Sequence, residues 1–362
     1  MPRPAIALVI MLACCAPTSA QDLDELKSKC EETIVESLDA GNPSLAMISR
    51  CRLISFDRAK PFLVTSLASE DPNIVLAAGQ ALADESLDVF GDSVMHRLNQ
   101  LPSDQQEVEI RKTGLLARLG DNAARKQLDK WLDTVKGHIR LTVPGFAASD
   151  WICPMMCVEP TAKAGRCPVC GMELVALADA SPSPRELQLQ VTVLEELQRC
   201  GQEIARQARG IVASDADALT RVLAAGLWLR EDHTGALPHA KLFLHSQHRR
   251  LAIFLLAEVA PRESAADLEQ LLEGQLTQVE KLDVWRGLIR AGNDSFLDEV
   301  RRSVRMVPQS DKQFGEKVHA IYVLAENGTR EDLADLAKLL DTEFKVFAAA
   351  AMLDSIQDAD NE

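Results

Sequence analysis

The sequence is poor in aromatic residues, which make up 4% of its 362 positions and include a single tyrosine. Its apolar share of 47% consists mostly of alanine, leucine and valine instead. These aliphatic side chains let helices pack closely, and alanine and leucine are strong helix formers. We therefore predict a mainly α-helical fold of ordinary globular composition.

The chain also lacks an excess of positive charge. It has 39 lysine and arginine residues against 54 aspartate and glutamate residues, a formal net charge of −15. A field of that sign repels a phosphate backbone, so we expect no nucleic-acid partner. The same acidic surface suits a protein that meets cations.

Recognisable catalytic motifs are missing as well. The sequence contains no glycine-rich phosphate loop, no nucleophile elbow and no metalloprotease helix. No spacing places serine, histidine and aspartate together as a triad. We therefore expect no catalytic residues and no enzymatic activity.

Long apolar runs are absent after the first twenty residues. Residues 1–20 predict a signal peptide, because Arg3 precedes an apolar run from Ala5 to Ala13 that is too short to anchor in a bilayer. Met11-Leu12-Ala13-Cys14 offers a rival interpretation as a lipoprotein cleavage site. With either interpretation we expect an exported protein, periplasmic or extracellular, that meets a membrane only if it is lipid-anchored.

A helical rhythm runs through the rest of the chain. Leu256, Leu288 and Leu324 stand 32 and 36 residues apart, and a proline or glycine turn signal follows each of them. Helical pairs at a period of about 30 to 40 residues are typical of an α-solenoid. Residues 185–211 predict one long polar helix within this series.

Two prolines near the start of the chain indicate helix N-termini. Asp71 followed by Pro72 is typical of a cap with proline at the first helical position, and Asn42 followed by Pro43 predicts the same. The apolar and small residues after Asp71 resemble a HEAT repeat. That resemblance concerns shape more than chemistry, and we expect a protein partner to bind on the helical-repeat surface. Some HEAT-like proteins are pigment lyases, but this analogy rests on fold alone.

These patterns predict an α-solenoid of HEAT-like helical pairs with a small cysteine-rich, zinc-ribbon-like module inserted. We divide the sequence into a signal peptide (1–20), N-terminal helical repeats (21–136), a linker (137–150), the cysteine-rich module (151–176), a second linker (177–184) and C-terminal HEAT-like repeats (185–360).

The module carries two close cysteine pairs, Cys153 with Cys157 and Cys167 with Cys170. Four thiolates from two tight loops can surround one tetrahedral ion. Gly171 is suited to a positive φ directly after the last of these cysteines. About 25 residues cannot bury enough surface to fold unaided, so an ion or a disulfide must hold the module together.

The module's residues resemble a known family. Cys153-Pro154-Met155 and the run from Cys167 to Met172 resemble the heavy-metal-binding domain of bacterial copper-resistance systems. The resemblance covers about 25 residues and implies metal binding by the cysteines. Where the family usually has His-Pro, this chain has Met156-Cys157, and Ala164 stands where the family usually has proline.

The replacement of an imidazole by a thiol moves the expected site towards softer ligands. Soft ligands favour one Cu(I) or Zn(II) ion. Met155 and Met172 are additional candidate ligands, and the alternative is that they fill space in a very small fold. Without an ion, an oxidising compartment would favour the disulfides Cys153–Cys157 and Cys167–Cys170.

The cysteines and histidines outside the module have simpler interpretations than metal binding. Cys30 and Cys51 either form a disulfide or are small buried hydrophobes. His245 and His248 are three apart on an expected helix, close in sequence to His233 and His239, and that spacing would let the two share an ion. No nearby cysteine or firmly placed carboxylate completes such a site, and we expect a solvated polar face. His319 lies in an apolar stretch and is expected in the core or in a groove.

The sequence supports two main hypotheses of function. In the first, the exported protein binds a soft metal ion through its four-cysteine module for sequestration, sensing or handover. In the second, it is a protein-interaction scaffold whose zinc is purely structural. A redox module that uses the cysteines as disulfides is a third option. How readily the ion exchanges separates the first two hypotheses, since structural zinc sites are closed.

Overall fold

The computed structural model describes residues 20–85, 87–102, 105–132, 134–135, 138–139, 151–153, 161–176, 184–214 and 216–360. The predicted signal peptide lies outside these residues except for Ala20, where the first helix begins. Most of the two predicted linkers also lies outside them.

The described residues contain eighteen α-helices. They are α1 (Ala20–Asp39), α2 (Leu45–Cys51), α3 (Phe56–Leu67), α4 (Pro72–Glu85), α5 (Leu87–Asn99), α6 (Gln106–Arg118), α7 (Asn122–Leu132), α8 (Pro184–Arg199), α9 (Ala205–Val212), α10 (Ala218–Glu231), α11 (His233–Leu242), α12 (Arg249–Val259), α13 (Pro261–Leu271), α14 (Gln278–Arg290), α15 (Leu297–Arg305), α16 (Asp311–Asn327), α17 (Arg330–Ala337) and α18 (Lys345–Asp360). Short 3-10 helices span Phe243–His245, Asp294–Phe296 and Lys338–Asp341. The prediction of a mainly α fold is confirmed, and the solenoid arrangement stays a prediction.

Two small antiparallel ladders complete the described structure. Strands β1 (Thr134–Val135) and β2 (His138–Ile139) pair with each other, so the start of the first predicted linker is a strand. Strands β3 (Trp151–Ile152) and β4 (Val175–Ala176) pair at the two ends of the cysteine-rich module. None of the described helices combines the length with the apolar character that crossing a bilayer requires.

Local capping rules explain where the early helices begin. The carboxylate of Asp71 accepts the backbone N–H of Asn73 at 2.8 Å, as the sequence predicted for the start of α4. The prediction for Asn42 is wrong. Ser44 is the N-cap of α2, and its hydroxyl accepts the N–H of Met47 at 3.3 Å.

Three glycines end helices in the left-handed conformation. Gly120, Gly201 and Gly292 have φ of +95°, +76° and +100°. In each case the next N–H donates to a carbonyl five residues earlier, as in Gln202 to Leu197 at 3.0 Å. Gly201 therefore separates α8 from α9, and the prediction of one helix over 185–211 is wrong.

Contacts divide the chain into two compact units. Of the described residues, those of 20–69 and 261–360 form the first unit, and those between 70 and 260 form the second. The division differs from the sequence-based blocks 21–136 and 185–360, because helices distant in sequence pack together. In the first unit α1 packs against α18, and Lys345 lies 3.6 Å from Glu36 across that pair.

The second unit joins helices from both sides of the module. Helices α6 and α7 precede the module in sequence, and both pack against α8, which follows it. Glu196 of α8 is almost fully buried and pairs with Arg118 of α6 at 3.3 Å and with Arg199 at 2.6 Å. Burial raises the pKa of Glu196, and the two arginines partly offset that effect.

Candidate metal centre

The module is closed by backbone pairing at its two ends. Trp151 lies opposite Ala176 and Ile152 opposite Val175 in the β3–β4 ladder. Trp151 also exchanges backbone hydrogen bonds with Thr161, at 2.7 and 2.9 Å. This pairing places Cys153, which directly follows β3, beside the second cysteine loop.

The second loop is a tight turn held by three backbone hydrogen bonds. The N–H of Cys167 donates to the carbonyl of Met172 at 2.8 Å, and the N–H of Gly171 donates to the carbonyl of Cys167 at 2.9 Å. The N–H of Leu174 donates to the carbonyl of Gly165 at 2.8 Å. Gly171 has φ of +75°, so the expectation of a left-handed glycine after Cys170 is confirmed.

Three sulfur atoms meet between the strand and the turn. The Sγ atoms of Cys153, Cys167 and Cys170 all lie within 4.8 Å of one another, and we call these three residues the thiol cluster. Cys153 and Cys167 are buried, at 0% and 2% exposure, and Trp151 and Leu174 pack with them. Cys170 is exposed.

The spacing of the thiol cluster suits a metal ion. With Zn–S bonds of about 2.3 Å, tetrahedral sulfur ligands stand about 3.8 Å apart. The Sγ atoms of Cys153 and Cys170 are 3.4 Å apart, close to that value. A disulfide bond is about 2.05 Å long, so these two thiols are not joined by one.

Two of the predicted metal ligands lie outside the residues that the structure describes. These are Cys157 and Met155, so the fourth cysteine and one thioether stay predictions. The side chain of Met172 is 44% exposed, while its carbonyl takes part in the turn. Sequence reasoning did not assign a packing role to Leu174 or Trp151, although the apolar residues at both ends of the module were a usable signal.

The remaining cysteines of the described chain lie in the helical units. Cys30 and Cys51 are free and buried, so the structure contains two buried thiols rather than their disulfide. Burial raises the pKa of Cys30 to about 12 and that of Cys51 to about 11. Burial also raises the pKa of Cys200. Because the thiolate is the metal-binding form, these thiols are poor ligands at neutral pH.

Within the part of the chain that the structure describes, the histidines do not gather into a site. Among the described residues, the thiol cluster is the group in which three possible metal ligands lie close enough to hold one ion. His245 ends a 3-10 helix and His248 precedes α12, so they do not share one helix as expected. His319 lies between core and surface, and its Nε2 is 2.7 Å from the buried carboxylate of Asp283.

Comparison with known families agrees with the geometry of the module. Residues 151–176 match the family model described as the heavy metal binding domain. No curated protein and no solved structure matches the chain.

Proposed function

From the heavy metal binding domain that the chain carries at residues 151–176, we propose an exported protein that binds one soft metal ion. The ion is Cu(I) or Zn(II), held for sequestration, sensing or handover in the periplasm or outside the cell. The observation that carries this proposal is the thiol cluster, in which sulfur atoms from two separate loops lie within 4.8 Å of one another.

The ligand chemistry supports a soft ion. Thiolates select Cu(I) and Zn(II) and disfavour hard cations such as Mg²⁺ and Ca²⁺. Cys153, Cys167 and Cys170 supply three such ligands. Structural Zn(II) takes four ligands, and Cys157 is the expected fourth. The role proposed here is binding without catalysis, since the sequence contains no recognisable catalytic motif.

The alternative function is a scaffold with a purely structural zinc. The burial of Cys153 and Cys167 with Leu174 favours it, because structural zinc sites are closed to solvent. In that case the helical-repeat surface would bind a protein partner and the ion would only hold the module together. The exposure of Cys170 favours the exchangeable site.

Metal content tests the proposal. The mature protein, purified without oxygen, should contain about one equivalent of Cu(I) or Zn(II) by elemental analysis. The double variant Cys167→Ser/Cys170→Ser should lose it. Cys200→Ser is the matched control, because Cys200 lies in the helical part of the chain and should leave the metal content unchanged.

The results separate the hypotheses. An ion that a mild chelator removes supports sequestration or handover, whereas a zinc that resists the same chelator supports the scaffold. Protein that contains no metal and whose module cysteines are all oxidised would overturn the metal proposal in favour of the redox one. Cell fractionation of the full chain tests export, and recovery only in the cytoplasm would contradict it.

A further inference from the structure

The three thiols of the cluster differ in their access to solvent. Cys153 is fully buried and Cys167 is 2% exposed, while Cys170 is exposed. We infer that Cys170 is the exchange ligand, the position at which an incoming donor replaces a sulfur of the bound ion. Cys153 and Cys167 are the anchoring ligands. This inference rests on the proposed metal-binding function.

The two buried thiols are fixed by the structure around them. Cys153 directly follows strand β3 and packs with Trp151 and Leu174. Both backbone polar groups of Cys167 are engaged, the N–H with Met172 at 2.8 Å and the carbonyl with Gly171 at 2.9 Å. Turning either buried sulfur away from an ion would require the side chains packed around it to move.

Cys170 lies on the open side of that turn. Its neighbour Val169 is 69% exposed, and Met172 is 44% exposed. The sulfur of Cys170 can therefore leave the ion by rotation of its own side chain, without the loss of a backbone hydrogen bond from Cys167. An entering donor meets the ion from this side.

The surface around Cys170 indicates the class of donor. Residues 167–172 contain no charged side chain, and the flanking charges, Arg166 and Glu173, lie 4.0 Å from each other. The large exposed side chains near Cys170 within this run, Val169 and Met172, are apolar or sulfur-bearing, and such neighbours favour a soft donor over a hydrated carboxylate. We therefore assign the exchange partner to the thiol or thioether class, either a small thiol or a cysteine- or methionine-bearing protein segment.

Alkylation rates measure directly how accessible each of the three thiols is to a reagent in solvent. The protein loaded with one equivalent of Zn(II) is treated with iodoacetamide, and the modified cysteines are followed by peptide mass spectrometry. Cys170 should react at least about tenfold faster than Cys153 and Cys167, because buried thiols are shielded from the reagent. The same protein in denaturant and chelator should show similar rates at all three.

Metal transfer then tests the role of Cys170. Zn(II) transfer to 4-(2-pyridylazo)resorcinol is timed for the unaltered chain, Cys170→Ser and Cys167→Ser. We expect the unaltered chain to transfer its ion at a rate that rises with chelator concentration. Cys170→Ser should still bind one equivalent but release it about tenfold faster, in the range seen when a metal site is perturbed. Cys167→Ser should fail to retain the ion.

The outcomes distinguish the inference from the function on which it rests. If the unaltered chain holds no Zn(II) or Cu(I), the proposed function and the inference fail together. If the ion is bound but Cys153 or Cys167 reacts first, only the inference fails. Equal behaviour of Cys170→Ser and Cys167→Ser, or a transfer rate independent of chelator concentration, also overturns it. Unchanged helical circular dichroism in both variants excludes a general folding defect.

Discussion

Gly171 shows how one residue sets the shape of the candidate metal centre. It follows Cys170 and has φ of +75°, a region that L side chains rarely adopt. A Cβ added at Gly171 would meet no atom within 4 Å. Any cost of substitution there therefore comes from the backbone and not from crowding.

Gly171→Ala should weaken ion binding. A left-handed alanine costs about 1 to 2 kcal/mol, and because every 1.4 kcal/mol is tenfold, we expect a loss of affinity of roughly five- to thirtyfold. Chelator competition at equilibrium measures it. Gly165→Ala is the matched control, since Gly165 is in the same module, has no positive φ, and also has no atom within 4 Å of an added Cβ.

Equal affinities of the two alanine variants would show that the conformation of Gly171 is not needed for binding. A loss in the Gly165→Ala variant alone would shift attention to the hydrogen bond between Gly165 and Leu174.

At the scale of secondary-structure elements, the packing of α6 on α8 depends on a glycine. A Cβ added at Gly114 of α6 would lie 2.7 Å from the Cβ of Glu196. The Cβ of Glu196 is fixed to the α8 backbone, so it cannot move aside as the end of a flexible side chain would. Gly114 therefore lets the two helices approach closely around the buried carboxylate of Glu196.

Gly114→Ala should destabilise the protein by about 1 to 3 kcal/mol, the usual cost of overpacking a core. Gly210→Ala is the matched control, because Gly210 is in helix α9 of the same unit and an added Cβ meets nothing within 4 Å. That control should gain about 0.5 to 1 kcal/mol from helix propensity. Denaturant unfolding followed by circular dichroism measures both changes, and a Gly114→Ala variant as stable as the control would contradict the argument.

At the scale of the whole molecule, the module and the helices depend on different forces. The helical units bury many aliphatic side chains, whereas the described core of the module is Cys153, Cys167 and Leu174 with Trp151 against them. So small a core cannot offset the entropy of ordering the chain. We therefore propose that ion binding supplies most of the module's folding free energy.

Removal of the ion should therefore unfold the module and leave the helices folded. Addition of a strong chelator should change the fluorescence of Trp151 while the helical circular dichroism stays the same within about 10%, because the helices do not depend on the metal. Trp151→Phe provides the control, since the three other tryptophans, Trp131, Trp228 and Trp285, remain in helices. A cooperative loss of helix on chelation would contradict this prediction.

The sequence by itself determined the features that depend on neighbouring residues. The mainly α fold followed from composition and periodicity, the cap of Asp71 from a dipeptide, and the grouping of the module's cysteines from their spacing. The left-handed Gly171 was predictable for the same reason, since its conformation depends on the turn that contains it. Where two local signals competed, as at Asn42 and Ser44, the sequence did not decide between them.

Only the tertiary structure decided which distant residues meet. The packing of α1 on α18, and of α6 and α7 on α8, depends on complementary surfaces formed after the helices exist, and hydrophobic spacing records which face is buried but not against what. The same holds for the thiol cluster. Spacing grouped four cysteines, but only the folded module makes two of its thiols buried and leaves Cys170 exposed.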